Sequence, residues 1–217
     1  MDGSNAAIVA VSLTDARQEL VRQRILQGAC ALLSRGEGWT FAGVAKAAEV
    51  PERTIYRYFA TREDLLHGIF ELANQRTGFQ GELPTSAQAL TELVRRCFPG
   101  FDALAPVIEE LLSAPEGRQA RLRQKAARRR ASLALVRTEA PELGPADATR
   151  VAAVLQLLGQ AATWQALRDY WDMDGAEAAE ASALAIELLL LGARSRANGK
   201  HGSKKRRAKA ARAKEDG

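Results

Sequence analysis

The side chains best suited to recognising another molecule are concentrated in one short stretch that follows Pro51. Guanidinium, phenol, hydroxyl and carboxylate groups occur together there, on Glu52, Arg53, Thr54, Tyr56, Arg57 and Tyr58. Ile55 and Phe59 are four residues apart, so on a helix they share the buried face and leave the polar groups outside. Guanidinium and hydroxyl groups bond phosphate oxygens, and the first residues of such a helix can reach base edges. The stretch therefore predicts a helix that binds a nucleic acid.

A second short helix is predicted immediately before this one. Residues 41–48 place apolar side chains at i, i+3, i+4 and i+7, and Thr40 stands at the N-cap position. A break at residues 49–50 separates the two helices, and Pro51 suits the start of the second because its φ is already helical. Two helices joined by so tight a turn are typical of a helix-turn-helix, whose second helix enters the major groove.

A third helix is predicted to start just after this pair. Thr61 is its predicted N-cap, and Asp64 stands at the third helical position. Arg62 lies where a phosphate would meet both its charge and the positive end of the helix dipole.

The block VAKAAEVPERTIYRYFATREDLL, residues 44–66, resembles the signature of the TetR family of one-component transcriptional regulators. The resemblance rests on the Thr-x-Tyr-x-x-Phe core, on the capped helix start that follows and on the spacing between them, and it extends over about residues 17–68. It implies an all-α protein of about nine helices. An N-terminal three-helix DNA-binding domain with a helix-turn-helix would be followed by a helical domain for ligand binding and dimerisation.

The resemblance also assigns the residues that would contact duplex DNA. They are Thr40, Glu52, Arg53, Thr54, Tyr56, Arg57, Tyr58 and Arg62. A further helix is predicted before these, at residues 15–34. Three arginines near its start are either phosphate contacts or ordinary solvated charges: Arg17, Arg22 and Arg24.

Two positions depart from the usual pattern of the family. Where the family has Gly between the two helices this chain has Glu49, so we expect a non-glycine residue to take a left-handed turn with modest strain. The common Ser-Lys pair is replaced by Pro51 and Glu52. Because a carboxylate repels phosphate, Glu52 either faces a base edge such as a cytosine amino group, or is a solvated acid favoured by the helix dipole.

The rest of the chain is predicted to form helices separated by proline and glycine, with no strand pattern. All the predicted helices together span 15–34, 41–48, 51–59, 61–75, 86–98, 101–112, 115–139, 145–171 and 175–196. We divide the chain into a flexible arm, the helix-turn-helix domain, an effector-binding and dimerisation domain, and a disordered basic tail: 1–14, 15–68, 69–198 and 199–217.

Two of these segments, 145–171 and 175–196, carry broad apolar faces. Leu157, Trp164 and Trp171 follow one another at intervals of seven in the first, and many alanines permit close helix approach. The resemblance implies that the last two helices form a four-helix bundle across a two-fold axis, so we assign them to a homodimer interface. The alternative is that they pack only within one subunit.

The resemblance further implies that the other helices surround a cavity for a small-molecule effector. The predicted lining residues are Phe98, Phe101, Leu104, Ile108, Leu111, Leu157 and Trp164, although each also suits a plain hydrophobic core. Residues 118–130 hold seven Lys or Arg and no acid. This run suits an anionic effector, but a solvated helix face explains it more simply.

Composition sets further bounds on the class of protein. With 217 residues, 47% of them hydrophobic, the chain can bury a sizeable core. No apolar run is long enough to span a bilayer, and the N-terminus lacks a basic n-region, so we expect a cytoplasmic protein with no membrane segment. Cys30 and Cys97 are expected to be reduced core residues. Residues 200–217 hold eight Lys or Arg against two acids, and such a tail adds sequence-independent affinity for DNA.

Catalysis lacks the groups that it would need. The two histidines, His67 and His201, cannot be assembled into a His pair or a Cys-His cluster, and no glycine-rich phosphate loop is present. We therefore expect no enzyme activity, metal or cofactor. The resemblance implies a dimeric repressor that binds a palindromic operator and is released by a small-molecule effector. The alternative is an architectural DNA-binding protein that uses the same helix-turn-helix and the basic tail without an effector.

Overall fold

The computed structural model describes residues 13–36, 39–79 and 81–215, with residues 199–215 given as backbone. All regular structure in these ranges is α-helical. The helices are α1 (Leu13–Ser34), α2 (Phe41–Ala48), α3 (Glu52–Tyr58), α4 (Arg62–Arg76), α5 (Ala87–Ala103), α6 (Ala105–Ser113), α7 (Pro115–Leu122), α8 (Lys125–Glu139), α9 (Pro145–Leu158), α10 (Ala161–Trp171) and α11 (Gly175–Glu215). The predicted all-α fold is confirmed, but the described residues form eleven helices where about nine were expected.

The difference in number comes from two long predicted helices that are each divided in two. The segment 115–139 forms α7 and α8, and the segment 145–171 forms α9 and α10. The second break falls at Gly159, a residue with low helix propensity, and the hydroxyl of Thr163 donates to the carbonyl of Leu157 across it at 2.6 Å. The heptad series that ran through this segment therefore does not lie on one face.

Helix α5 passes through the Pro99–Gly100 pair that was expected to end it. Gly100 allows close packing there, since a Cβ at this position would lie 2.8 Å from Cα of Thr77. Thr77 is the C-cap of α4, so α5 is held directly against the end of that helix.

Both ends of the chain differ from expectation where they are described. Leu13 and Thr14 already belong to α1, while the remainder of the predicted arm, residues 1–12, lies outside the described residues. At the other end, the backbone of α11 continues to Glu215, whereas we expected the helix to end at Arg196 and a disordered tail to follow. The alanine, lysine and arginine of this segment are all good helix formers, which outweighs its lack of an apolar face. Within the described ranges, no helix has the length and apolar character that crossing a membrane requires.

The first four helices share one core. Ile25, Leu26, Val44, Ile55 and Leu65 are each at most 1% exposed, so all four helices contribute to it. In the remainder of the fold, α11 packs along α5, and α8 packs on α9. Helix α6 contacts α1 and α4 as well as α10, and α7 packs against α4. Helices α6 and α7 therefore connect the first four helices to the others.

The turn between α2 and α3 has the backbone conformation predicted for it. Glu49 lies in the left-handed region, with φ 52° and ψ 44°. The amide of Glu49 donates to the carbonyl of Lys46 at 3.2 Å, and the amide of Val50 donates to that of Ala45 at 3.0 Å. These bonds satisfy the last carbonyls of α2 in a turn that usually favours glycine. The Glu49 carboxylate pairs with the guanidinium of Arg24 on α1.

We expect Glu49→Gly to be more stable than Glu49→Ala by about 1 kcal/mol, because an L-residue is strained in the left-handed region and glycine is not. Both variants lose the exposed pair with Arg24, so their difference isolates the conformational cost. Urea unfolding followed by circular dichroism measures it. An alanine variant as stable as the glycine variant would show that the turn carries no strain.

Candidate nucleic-acid interface

Helix α3 presents most of its predicted recognition groups to solvent. Ile55 and Phe59 are buried beneath it, while Tyr56 is 52% exposed. The Tyr56 ring meets the ring of Phe41 edge to face, with 4.8 Å between centroids, so it is fixed in place although exposed. The predicted contacts that are exposed on this helix are Glu52, Arg53, Tyr56 and Arg57; those that are half-buried are Thr54 and Tyr58.

The structure brings four of the eight predicted DNA contacts to the rim of one shallow hollow at the start of α2, α3 and α4. These residues are Thr40, Glu52, Tyr56 and Arg62. The hydroxyl oxygen of Thr40 accepts from the amide of Gly43 at 3.0 Å, which confirms Thr40 as the N-cap of α2. The hydroxyl hydrogen of Thr40 is still able to donate to a phosphate oxygen. The other four predicted contacts lie along α3 outside this hollow.

The start of α4 has the predicted cap. The amide of Asp64 donates to the Thr61 hydroxyl oxygen at 3.1 Å, and the amide of Thr61 donates to the Asp64 carboxylate at 3.2 Å. This reciprocal arrangement satisfies two amides at the end of the helix.

Arg62, a predicted DNA contact, already has partners within the chain. Its guanidinium lies 4.0 Å from the centre of the Trp39 ring and donates to Glu110 Oε1 at 3.2 Å. A second carboxylate, that of Glu116, lies 3.5 Å from Nε. The indole of Trp39 donates to the same oxygen of Glu110 at 3.1 Å. The resemblance could not reveal this arrangement, because Glu110 lies 48 residues beyond Arg62 and far outside the signature.

Two of the three α1 arginines considered as phosphate contacts also have acidic partners. Arg22 lies 3.6 Å from Glu19 and stacks over the Phe59 ring at 5.7 Å, and Arg24 pairs with Glu49. Arg17 is exposed.

A cavity of about 120 Å³ lies behind the first four helices, between α4, α5, α6, α7, α8, α9 and the start of α10. Three of the seven predicted effector contacts lie on its wall: Phe101, Ile108 and Leu111. Phe70 and Ala73 of α4 also line it, so α4 extends from the hollow to the cavity.

The other four predicted effector contacts lie elsewhere. Trp164 is fully buried, but its indole donates to Asp102 at 2.8 Å and Arg168 stacks on it at 4.6 Å, which holds it in the core. Phe98 is fully buried where α5 meets α11, and Leu104 stands at the junction of α5 and α6. Leu157 is 56% exposed, because it shares the solvent-facing side of α9 with Val154, while Ala152 and Leu155 lie on the buried side.

Two residues that line the cavity belong to the basic run 118–130, which we expected to be a solvated helix face. Arg121 of α7 and Arg128 of α8 line the cavity, whereas Arg123 between them pairs with Glu63 of α4 at 2.8 Å. The run belongs to two helices and not to one, so its charges point in several directions. Cys97 also lines the cavity, and burial raises the pKa of its thiol more than Arg96 lowers it.

Within the described residues, no group of His, Cys, Asp or Glu side chains is arranged to hold a metal ion.

Residues 25–69 match the family model described as "Bacterial regulatory proteins, tetR family". The fold is similar to the crystal structure of the multidrug binding protein EbrR complexed with imidazole, at 20% sequence identity and a TM-score of 0.50, over 77% of this chain and 93% of that one. It is also similar to native NalD, the secondary repressor of the MexAB-OprM multidrug efflux pump in Pseudomonas aeruginosa, at 19% identity and a TM-score of 0.52, over 78% of this chain and 95% of that one. No curated protein sequence matches the chain.

Proposed function

We propose that this chain, which belongs to the TetR family of bacterial regulatory proteins, is a transcriptional repressor released from a palindromic operator by a small-molecule effector. The observation that carries the proposal is the exposed face of α3, where Tyr56 is fixed against Phe41 beside the Thr40 hydroxyl. The same fold holds a cavity that α4 links to this face. The protein would act on duplex DNA in the cytoplasm as a homodimer, with residues 15–68 as its DNA-binding domain.

In this proposal α3 enters the major groove. Arg53, Thr54, Tyr56, Arg57 and Tyr58 contact phosphates and base edges along the helix. Thr40 donates to a phosphate at the rim of the groove, while Glu52, at the start of α3, reaches a base edge. Arg62 contributes by holding the hollow in shape through Trp39 and leaves its exposed edge to the phosphates. Two copies would place their recognition helices about 34–36 Å apart, one turn of DNA.

Exposed apolar stripes on α9 and α11 support the homodimer. On α11 the stripe consists of Leu184, Leu188 and Leu191, at i, i+4 and i+7, each between 57% and 60% exposed. On α9, Val154 and Leu157 are 44% and 56% exposed, and α9 packs against α11 in the fold. A second copy that covers these stripes with its own would bury them at roughly 25 cal/mol per Å² of apolar surface.

The contacts of α6 provide a route from the cavity to the recognition helix. Ile108 and Leu111 face the cavity, while Glu110, between them in sequence, holds Trp39 and Arg62. A ligand that shifts α6 would therefore move the residues on both sides of the helix-turn-helix. We expect the coupling between effector and operator to be about 1–3 kcal/mol, as is typical of allosteric proteins.

Selection of genomic DNA fragments by the full-length chain tests the proposal. Moderately high salt suppresses binding that depends only on the basic tail, because counterion release contributes less there. We expect the bound fragments to share one short palindrome. A chain ending at Asn198 serves as the control and should select the same palindrome with a smaller salt dependence. Recovery of unrelated fragments would contradict the repressor and favour the architectural alternative.

Tyr56→Phe should lower affinity for the selected operator about five- to tenfold, the effect of one hydrogen bond of about 1 kcal/mol. This variant keeps the ring against Phe41, so the fold is preserved. Tyr56→Ala, which also removes the ring, should lower the affinity further. Tyr170→Phe, at an exposed position on α10, is the matched control. Fluorescence anisotropy with a labelled duplex measures all three, and unchanged binding by Tyr56→Phe would exclude a contact through the hydroxyl.

Leu188→Glu should convert the protein from dimer to monomer, because a carboxylate would be buried between the two copies at a cost of several kcal/mol. Leu20→Glu changes a leucine on α1 that is 72% exposed, compared with 58% for Leu188, and should leave the dimer intact. Light scattering during size-exclusion chromatography gives the mass of each variant. A dimeric Leu188→Glu protein would place the interface on another surface.

A further inference from the structure

The cavity behind the recognition helices is apolar over most of its wall. Its larger side chains include Phe70, Leu90, Leu93, Phe101 and Ile108. No aspartate or glutamate lies on the wall among the described residues. A ligand that fills this space must therefore have an apolar body.

Two guanidinium groups interrupt this apolar wall, and neither has an acidic partner in the part of the chain that the structure describes. Arg128 donates only to the neutral side-chain oxygen of Gln124, at 3.4 Å from Nε and 3.2 Å from Nη2. Arg121 donates to the backbone carbonyls of Leu111 and Leu112 at the end of α6, the second at 3.4 Å. No carboxylate of the described residues pairs with either arginine. Most arginines that pack between helices here do have one, and they include Arg62, Arg95, Arg123, Arg168, Arg194 and Arg196.

Burial acts on both of these arginines. It is the largest cause that lowers the pKa of Arg128, and the charge of Arg121 lowers it further. Burial also lowers the pKa of Arg121, together with the charge of Arg118. Placing a charge in an apolar environment costs free energy unless an opposite charge accompanies it. Since the described residues do not supply that opposite charge, a ligand is its natural source.

We propose that the cavity binds an amphipathic anion, with a carboxylate between Arg121 and Arg128 and an apolar body among the leucines and phenylalanines. Guanidinium groups bind carboxylates through paired, charge-assisted hydrogen bonds. The volume of about 120 Å³ is close to the ~150 Å³ of an engineered apolar cavity that holds one benzene molecule, and this cavity is also partly open to solvent. It therefore suits one aromatic ring or a short alkyl chain beside the carboxylate, with a longer chain extending toward the opening. The site is the effector site of the proposed repressor, and in that respect it rests on the proposed function.

The position of Arg121 connects the anion to regulation. Its guanidinium holds the last carbonyls of α6, and a carboxylate that binds the same guanidinium competes with them. Release of these carbonyls frees the end of α6, and α6 is the helix whose Glu110 binds Arg62 and Trp39. The anion therefore loosens the contact that positions the helix-turn-helix.

Calorimetric titration of the full-length protein tests the site with probes that differ only in the head group. Octanoate should bind at least tenfold more tightly than octan-1-ol or octylamine, which share its chain, and benzoate should also bind. Arg128→Gln should weaken octanoate binding at least tenfold and leave octan-1-ol unchanged. Arg129→Gln, an exposed neighbour on the same helix, is the matched control and should bind octanoate like the unmodified chain. Arg128→Lys, which keeps the charge but not the paired donors, should lie between them.

Three results would overturn the proposal. They are equal binding of octanoate and octan-1-ol, equal loss in the Arg128→Gln and Arg129→Gln variants, and no binding of either octanoate or benzoate. These titrations use no DNA, so their failure is distinct from failure of the proposed function. A protein that binds octanoate through Arg128 but selects no palindrome contradicts the repressor alone. A protein that selects a palindrome but prefers octan-1-ol contradicts the anion site alone.

Discussion

The carboxylate of Glu110 fixes where the recognition helix lies relative to the rest of the molecule. One oxygen, Oε1, accepts from the indole of Trp39 at 3.1 Å and from the guanidinium of Arg62 at 3.2 Å. Trp39 precedes α2 and Arg62 begins α4, so a single acceptor on α6 holds the residues on both sides of the helix-turn-helix. The guanidinium also stacks on the indole, which adds a cation–π contact to the two hydrogen bonds. The position of α3 therefore depends on the position of α6.

Helix α6 is held on its other side by a second acid. Glu109 pairs with Arg168 of α10, and Arg168 stacks on the buried Trp164. Adjacent acids on a helix point apart, and from sequence alone that pattern suggests two solvated charges. Here Glu109 and Glu110 point apart and so connect α6 to α10 and to α4, while Ile108 faces the cavity. Only a few positions of α6 keep the Glu109 pair, the Glu110 pair and the cavity contact of Ile108 at the same time. This constraint suits an element that switches between discrete arrangements.

The sequence predicts well those features that depend on residues close together in the chain. The caps at Thr40 and Thr61 and the left-handed turn at Glu49 each follow from a few neighbouring side chains, and the structure contains all three. Features that depend on distant residues were missed. Leu157 lies on the exposed face of α9 and not on the cavity wall, although the heptad spacing suggested otherwise, because the packing of α8 and α11 decides which face of α9 is buried.

The sequence also does not predict which arginines pair with an acid, because these pairs join residues that are distant in the chain. A basic run appears uniform in sequence, and only the packing of α7 and α8 separates Arg123, which meets Glu63, from Arg121 and Arg128, which meet no acid of the described residues. Similarly, the position of Arg62 at a helix start favoured a phosphate, and nothing local indicated that Glu110 would reach it. Tertiary pairing decides how much of each guanidinium stays available, because each acid that pairs internally takes up donors that could otherwise meet a ligand.

Arg121 occupies the negative end of the α6 dipole, where a cation is stabilised even without an acid. A bound carboxylate would offer the same guanidinium a full negative charge in place of the carbonyl dipoles. Binding of the anion therefore competes with the hydrogen bonds from Arg121 to the end of α6. Coupling between two ligands is reciprocal. If operator binding requires Arg121 to hold the end of α6, the operator lowers the affinity for the anion by the same factor by which the anion lowers the affinity for the operator. In the proposed repressor, the charge of the effector and the position of the recognition helix are therefore linked through one side chain.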